Sequence, residues 1–398
     1  MYFYNPENYD PKDVLPESLQ RYADDSRYFI HKIYEQRIFN GQRKTDFVPL
    51  KAEYLRKIMS RRKYVEIRKA LLSSGVIESD GWYVKGKKAM GYKLGKNYHG
   101  GHKRIKVTNK RLIENIKEDN KKRRNEITLD THLHLRDKLE QIEIKFNDAL
   151  VNLDCDDDKE QTSNIIALEM IRDKYFFFTG DQFGRIHTNL TNLKSTSRKW
   201  LRHKSLPIIE LDISNSQPFF FSIILILYLY NNKLPSFNHL PLLPPLPCHT
   251  LPKDVIAYVD LVQRGVLYEY LAEKFKMSIE QRRIFKTKFF SEIFFGKNGW
   301  TSKNSQRFAE TFPTVYKVIQ QLKKKDYRAL SNHLQRVESS FIINSFIRRC
   351  MDTRPDMFIA TIHDSVLVKP EDARWAKNAL LSEFDHIGIV PTIREEEL

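Results

Sequence analysis

The chain has 398 residues, of which 41 % are hydrophobic, so it is long enough to form two or three domains with substantial cores. Lys and Arg outnumber Asp and Glu by 67 to 50, and the formal net charge of +17 favours an anionic partner, most simply nucleic acid, over a basic surface without a partner. Three cysteines far apart in the chain argue against a disulfide framework, so we expect a cytoplasmic protein. The longest apolar run, 219–230, is too short to span a bilayer, so we expect no membrane partner.

Residues 1–45 predict an N-terminal helical segment, with a short helix near 16–36. Between 46 and 96 the pattern sharpens into a helix over 50–58, a second helix from a Ser60 cap to Gly75, and two strands at 82–84 and 90–94. This order resembles a winged helix-turn-helix. The candidate nucleic-acid contacts are Arg61, Arg62, Lys63, Arg68 and Lys69 on the second helix, and Lys85, Lys87 and Lys88 on the wing. A small module that binds protein is the alternative.

Residues 97–160 predict a charged linker and helix. The run 97–126 is typical of a solvated linker or helix surface, although it could also contact phosphates. Residues 127–152 predict one helix with Leu133, Leu139, Ile142, Phe146 and Leu150 facing inward. The acidic stretch 154–160 is expected to be an exposed loop rather than a metal site.

Residues 161–398 predict one larger mixed α/β unit. It includes a proline-rich stretch, 233–252, that contains too much proline for a helix or a central strand. We expect a stiff loop packed against the body of the protein, with a surface for a protein partner as the alternative.

Three segments of this unit carry chemically useful side chains. Asp212 follows the apolar residues of a predicted strand, and Asp364 lies between two apolar strand segments in "FIATIHDSVLVKP". A carboxylate in such a place is costly to bury unless a cation, a hydrogen-bonded turn or a metal pairs with it. Between them, Arg282, Lys286, Phe290 and Phe294 recur at steps of four on one predicted helix.

Two strand-end carboxylates and a helix with cations and aromatic rings suit phosphoryl transfer to a growing strand. Two divalent ions held by carboxylates would activate a 3′-hydroxyl and stabilise the pyrophosphate. Oxygen ligands suit Mg²⁺, for which Mn²⁺ is an alternative. Arg and Lys one turn apart could bind a triphosphate, and an aromatic ring further along could stack on the incoming base.

These residues resemble motifs A, B and C of family A DNA polymerases and of the related phage-type single-subunit RNA polymerases. "DISNSQ" matches motif A with Asp212 and Ser214, "RIFKTKFFSEIFF" follows the spacing of motif B, and "IHDS" matches motif C with His363 and Asp364. The upstream "GRIHTNLTNL" is similar to the segment that contacts primer and template, which implies this role for Arg185 and Asn192 and, beside motif C, for His363. The segment "ESSFIINS", with Glu338 and Asn344, is a weaker match to the helix before motif C.

The resemblance implies a right-hand polymerase palm with reduced fingers, a thumb-like segment within 97–160, two Mg²⁺ ions on Asp212 and Asp364, and DNA and nucleoside triphosphates as partners.

Some positions differ from the family pattern. Gln217 stands where DNA polymerases carry the Glu that helps to exclude a ribose 2′-hydroxyl, and Phe294 replaces the Tyr of motif B. Ser365 follows the motif C Asp as in the RNA polymerases, whereas Phe290 matches the DNA polymerases.

The expected function is therefore template-directed nucleotidyl transfer, as a DNA-directed DNA polymerase of a phage or mobile element that lacks proofreading. A DNA-directed RNA polymerase or primase of the same superfamily is the first alternative. The second alternative is a non-catalytic DNA-binding protein, such as a replication initiator or repressor, in which the winged module would be the functional part.

Overall fold

A computed structural model describes residues 1–39, 47–153, 158–231, 251–299 and 301–398. Most of the proline-rich stretch 233–252 and the aspartates of 154–157 lie outside the described residues, so the predictions made for them stay predictions. Among the described helices, none combines the length and the apolar character that crossing a bilayer requires.

The chain alternates helices with short strands. Up to residue 204 the elements are β1 (Tyr2–Pro6), α1 (Pro11–Val14), α2 (Ala23–Phe39), β2 (Val48–Pro49), α3 (Ala52–Ile58), α4 (Tyr64–Ser73), β3 (Ile77–Ser79), β4 (Gly91–Leu94), β5 (His102–Lys106), α5 (Lys110–Asn125), α6 (Asp130–Leu139), β6 (Ile142–Ile144), α7 (Phe146–Val151), α8 (Asp158–Arg172), β7 (Phe178–Gly180), β8 (Ile186–Thr188), α9 (Ser195–Arg198) and β9 (Leu201–His203). Short 3₁₀ turns cover Glu17–Tyr22 and Lys96–Tyr98.

The second half of the chain contains a higher share of helix. Its elements are β10 (Leu206–Pro207), β11 (Ile209–Ile213), α10 (Ser216–Asn231), α11 (Lys253–Gln263), α12 (Leu267–Lys274), α13 (Ile279–Phe289), α14 (Lys303–Thr311), α15 (Pro313–Leu322), α16 (Ala329–Ser339), α17 (Arg348–Thr353), β12 (Ile359–Ile362), β13 (Ser365–Val368), α18 (Pro370–Ile387) and β14 (Ile393–Glu397). Two π-helical segments, Phe290–Phe294 and Ser340–Ile347, continue α13 and α16. Helices and small antiparallel sheets together confirm the prediction of a mixed, α+β fold class.

The chain divides into two compact units. The first comprises Met1–Leu133, Ile142–Phe177 and Thr188–Lys204, and the second comprises His134–Gln141, Phe178–His187 and Ser205–Leu398. The four-part division at residues 45, 96 and 160 stays a prediction.

In the first unit, helix α2 is largely buried and packs against β1, α4 and α8. Strands β1 and β5 form an antiparallel pair, and β2, β4 and β3 form a three-stranded sheet next to α2 and α4. Strand β4 (Gly91–Leu94) pairs with β3 (Ile77–Ser79) on one side and with β2 on the other. The strand predicted at 82–84 as its hairpin partner is wrong. Residues 82–88 instead make a turn closed by one bridge between Val84 and Lys88, with Gly86 at a positive φ of 75°.

The single helix predicted over 127–152 is also wrong. This stretch of chain instead forms α6, strand β6 and α7, and Ile142 of β6 lies opposite His203 of β9. Pairing with β9 satisfies backbone groups that a helix would have satisfied internally. Leu139 and Ile142 are buried as expected, whereas Leu150 is exposed.

In the second unit, a four-stranded antiparallel sheet in the order β12-β13-β11-β14 packs against α18. Helix α10 is apolar all round, which is typical of a core helix, and its residues from Pro218 to Leu227 are buried. Pro218 falls in the first turn of α10, where its missing N–H costs no helical hydrogen bond. The short connection from β11 to α10 is therefore held between a paired strand and a buried helix.

Candidate active site

The sheet of the second unit places one predicted carboxylate, Asp212, on β11 and the other, Asp364, in the turn just before the neighbouring strand β13. Strands β11 and β13 pair with Leu211 opposite Val366. Next to this pair, the Ser365 hydroxyl donates a hydrogen bond to Oδ1 of Asp212 at 2.9 Å. Asp364 directly precedes Ser365, so two acidic residues far apart in sequence meet at one end of the sheet.

Asp364 belongs to a tight hairpin. Ile362 pairs with Ser365, so His363 and Asp364 alone connect β12 to β13. His363 has a positive φ of 56°, a left-handed conformation that a non-glycine residue adopts at a cost. Its exposed ring lies 6.2 Å from that of His187, whose Nε2 is 3.0 Å from a carboxylate oxygen of Asp181. The turn therefore holds Asp364 beside Asp212 at the expense of local strain.

Three charged residues and one hydroxyl act on Asp212. Burial raises the pKa of Asp212 above its ordinary value, and the negative charge of Asp364 raises it further. The Ser365 hydroxyl, Lys286 and Arg394 act in the opposite direction, and Arg394 lies opposite Asp212 in the pairing of β11 with β14. Lys286 on α13 is thus close enough to the carboxylate pair to stabilise its negative charge.

The helix predicted from motif B begins with a capping box, in which Ser278 and Gln281 each bond to the other's backbone N–H. Arg282 and Lys286 are both exposed on α13, as expected for residues that bind an anionic ligand. Beyond Phe289 the helix widens into the π-helical segment Phe290–Phe294, so the regular step of four is not maintained.

This widening separates the two predicted stacking residues. Phe290 is partly exposed, whereas Phe294 is completely buried between Phe221 and Phe289. Ser214 is also buried and lies against Gly265. A Cβ added to Gly265 would be only 2.7 Å from the Cβ of Ser214, so there is no room for a side chain between the two residues. The side chains of Phe294 and Ser214 are thus both buried, and the nucleotide-binding roles that the motif resemblance implies for them stay predictions.

Gln217 lies in the first turn of α10, five residues after Asp212, and is partly exposed. It is therefore accessible at the end of the sheet, as the predicted role in sugar selection requires.

Tyr268 is a neighbour of the site that the sequence did not indicate. It lies in the first turn of α12, and its ring packs edge-on against Phe289 and Phe290. Its hydroxyl is buried and has no hydrogen-bond partner in the described part of the chain. Burial and the charge of Asp364 both raise its pKa, so the phenol stays protonated and can donate. A single tyrosine in a helix carries no motif, and only its position beside α13 reveals it.

The predicted primer-template residues have different surroundings. Arg185 donates a hydrogen bond to Oε1 of Glu338 at 2.6 Å, and Glu338 is only 1 % exposed. Burial raises the pKa of Glu338 to about 8, with a further contribution from Asp364, while Arg185 opposes the rise. Asn192 belongs to the first unit, where its Nδ2 donates to the carbonyl of Phe39 at 3.3 Å. The internal pairing of Arg185 was not predicted.

The basic residues of the predicted winged module also divide into two groups. Arg61, Arg62 and Lys63 precede α4 instead of lying on it, because the N–H groups of Lys63 and Tyr64 both bond to the Ser60 carbonyl in a tight turn. This part of the helix prediction is wrong. Among the predicted contacts of the module, the exposed cations are Arg61, Arg62, Lys69, Lys85 and Lys87.

The remaining predicted contacts of the module have internal partners. Lys63 pairs with Glu66 at 2.9 Å, and Arg68 donates to the Tyr92 hydroxyl at 3.2 Å. Lys88 pairs with Asp80 and lies 3.8 Å from the centre of the Trp82 ring. Three of the predicted contacts therefore also support the fold.

The carboxylate pair has the chemistry of a magnesium site with few protein ligands. Within the described ranges, no group of three or more His, Cys, Asp or Glu side chains is arranged to hold a metal ion. Mg²⁺ keeps several waters and needs only one or two carboxylates. The repulsion that raises the pKa of Asp212 would be relieved by a cation shared with Asp364. The two residues therefore fit the predicted metal.

No protein-family model matches the chain, and no curated protein does. Among solved structures, the chain is similar to the POL domain of Pol1 from M. smegmatis in complex with DNA primer-template and dNTP, with 12 % sequence identity and a TM-score of 0.31. The match covers 63 % of this chain and 49 % of that chain, so the chain spans about half the length of its structural neighbour. At this level of similarity, the roles of individual residues rest on their own geometry.

Proposed function

We propose that the chain catalyses template-directed nucleotidyl transfer, most simply as a DNA-directed DNA polymerase. The observation that carries the proposal is the meeting of Asp212 on β11 with Asp364 in the turn before β13, with Lys286 near enough to act on the charge of Asp212. Two carboxylates and a cation on a separate helix are what a phosphoryl-transfer site needs to bind metal ions and a triphosphate.

The proposed roles follow from the placement of each residue. Asp212 and Asp364 would hold Mg²⁺, which would supply the activation of the 3′-hydroxyl and the stabilisation of the leaving pyrophosphate. Arg282 and Lys286, both exposed on α13, would bind the triphosphate, and the partly exposed Phe290 would support the incoming base.

The choice of sugar would depend on Gln217. A neutral amide cannot repel a 2′-hydroxyl by charge, but it can fill space or form a hydrogen bond with it. Because Phe290 matches the DNA polymerases at its position, we propose DNA synthesis, with RNA synthesis or priming as the alternative. The proposed source in a phage or mobile element and the lack of proofreading rest on the sequence resemblance. A mismatched primer terminus should accordingly persist during incubation with the protein.

The deciding experiment is extension of a labelled primer on a DNA template with Mg²⁺. Asp212→Asn and Asp364→Asn keep side-chain size but remove a ligand charge, and each should abolish incorporation while duplex binding survives. Asp352→Asn is the matched control, because Asp352 is an exposed acidic residue of α17 in the same unit. Full incorporation by either site variant would exclude the proposed site.

The sugar and the primer requirement are tested in parallel. Labelled dNTPs and rNTPs are compared on primed and unprimed templates, with Mn²⁺ replacing Mg²⁺ in a second series. Strong use of rNTPs without a primer would reverse the preference for DNA synthesis in favour of a primase or RNA polymerase.

A non-catalytic DNA-binding protein is the rival from another class. It is favoured by the exposed cations of the β2-β4-β3 module, such as Arg61, Arg62 and Lys87. This rival predicts that Asp212→Asn and Asp364→Asn retain both DNA binding and biological output, and that the wild type incorporates no nucleotide.

A further inference from the structure

A cavity of about 230 Å³ opens in the first unit, whereas Asp212 and Asp364 belong to the second. Its lining comes from the 3₁₀ turn before α2, the loop after α3 and the beginning of α5. This volume is below the range of roughly 300–1,000 Å³ that is typical of sites for drug-sized ligands, so it suits one compact group.

Buried carboxylates hold the walls of this cavity in place. Asp25 accepts a hydrogen bond from the N–H of Ser60 at 2.6 Å, which fastens the loop after α3 to α2. Its neighbour Asp24 accepts bonds from the N–H groups of Thr108 and Asn109, both at 2.8 Å, which fastens the beginning of α5. Both carboxylates are at most 5 % exposed. The cavity is therefore preformed, and a ligand would not have to order its loops.

The lining combines an aromatic ring, apolar side chains, polar side chains that include one buried carboxylate, and two arginines. Met59 and Leu112 are buried and supply apolar walls, and Tyr22 adds a partly exposed ring. The guanidinium of Arg21 lies 5.0 Å from the centre of that ring, and Arg111 is exposed at the cavity. A planar ring against apolar walls with cations beside it is the environment in which proteins bind a nucleobase and its phosphates.

Further cations continue from both lining loops. Exposed Arg61 and Arg62 follow directly after Ser60, and exposed Lys110 directly precedes Arg111. A free mononucleotide would leave these cations unused, whereas the phosphates on either side of a nucleotide within a strand could reach them. A base stacked inside a duplex could not enter such a cavity without leaving the stack.

We propose that this cavity binds one unpaired nucleotide of a nucleic-acid strand, with its base against Tyr22 and its phosphates near Arg21 and Arg111. It would be a second nucleic-acid site in addition to the proposed polymerase site. The inference does not depend on catalysis, because binding in the first unit can be measured in the absence of nucleoside triphosphates.

Ser60→Leu tests the cavity without changing charge, since the added side chain would occupy it while the Ser60 N–H remains. Fluorescence anisotropy of the full chain should show a loss of single-strand affinity of about 5- to 150-fold, the range expected for one lost base-stacking contact. Duplex affinity and the dependence of binding on salt should stay unchanged. Lys117→Ala, an exposed cation further along α5, is the control and should weaken single-strand and duplex binding alike.

Two further measurements do not depend on this variant. Single-stranded DNA containing 5-bromodeoxyuridine should crosslink to Tyr22 of the wild type under ultraviolet light. Deoxyadenosine monophosphate should compete poorly with the oligonucleotide, because it lacks neighbouring phosphates.

The inference would be overturned by a folded Ser60→Leu protein with unchanged single-strand affinity, or with equal losses for single strand and duplex. Crosslinks confined to residues outside the cavity would also overturn it. Competition by the mononucleotide at the affinity of the oligonucleotide would refute the assignment to a strand.

Discussion

Replacing Ser365 by alanine should raise the pKa of Asp212 and make nucleotide incorporation more sensitive to acid. The Ser365 hydroxyl donates to Asp212 at 2.9 Å and so favours the ionised carboxylate. A hydrogen bond to a charged group contributes about 1.5–3 kcal/mol, and one pKa unit corresponds to about 1.4 kcal/mol. Since Ser365 is only 5 % exposed, water cannot easily replace its hydroxyl, and the expected rise is about 1–2 pH units.

The sign follows from the role of the carboxylate. Protonated Asp212 cannot bind a cation, so activity falls as the pH decreases through its pKa. A higher pKa in Ser365→Ala moves this acid limb to higher pH and leaves the plateau above it little changed. The assay is kcat/KM for single-nucleotide incorporation across the acid limb of the wild type, measured at one fixed, sub-saturating Mg²⁺ concentration because a saturating cation would displace the proton from Asp212.

Ser222→Ala provides the matched control. Ser222 is a buried serine of α10 whose hydroxyl donates to the Phe219 carbonyl at 2.6 Å, so its loss removes a buried hydrogen bond without involving a carboxylate. Its acid limb should coincide with that of the wild type. An active Ser365→Ala enzyme with the same unshifted limb would refute the view that this hydrogen bond controls the protonation of Asp212.

Three further predictions concern stability, measured by urea unfolding. His363→Gly should be more stable than His363→Ala by about 1 kcal/mol, because glycine accepts the positive φ of 56° without the cost that alanine incurs, and equal stabilities would contradict a left-handed turn. Glu338 has a pKa raised to about 8, so the wild type should lose stability relative to Glu338→Gln as the pH rises from 4.5 to about 8, and a pH-independent difference would exclude this shift. Lys323 donates to the carbonyls of Ile293 and Gly296 at 3.1 and 2.9 Å, and burial lowers its pKa from 10.5 to about 8. The wild type should therefore gain stability relative to Lys323→Met as the pH rises from about 8 to 10.5, whereas a constant difference would refute the lowered pKa.

The carboxylate pair could be predicted because its signal is local. Asp212 and Asp364 each interrupt or end an apolar run with strand periodicity, and such runs pair in the core of a sheet. The pairing of β11 with β13 is what brings the two residues together, and the sequence provides no register. The resemblance to motifs A and C supplied the expectation that they meet.

The errors arose where tertiary contacts decided between local alternatives. The stretch Ile142–Ile144 has helical spacing with its neighbours, but pairing with β9 makes it a strand. Strand β3 was missed because three residues are too few for an alternating pattern, so the hairpin was placed in the Gly-Lys-Lys turn that connects β3 to β4. The π-helical segment after Phe289 has no sequence signature, and it removed Phe294 from the face that carries Arg282 and Lys286.

Departures from the local rules of folding accumulate near Asp364. His363 is left-handed, Asp212 keeps a carboxylate beside another carboxylate, and the Tyr268 hydroxyl is buried without a described partner. Each feature destabilises the folded state, since strain, charge repulsion and an unsatisfied donor all carry a cost. A site that served only to hold the sheet together would gain stability from glycine, asparagine and phenylalanine at these three positions. A bound cation would relieve the repulsion, and a bound substrate could accept the hydrogen bond of Tyr268. The features that destabilise the protein without ligands are therefore those that a metal-dependent nucleotide site would use.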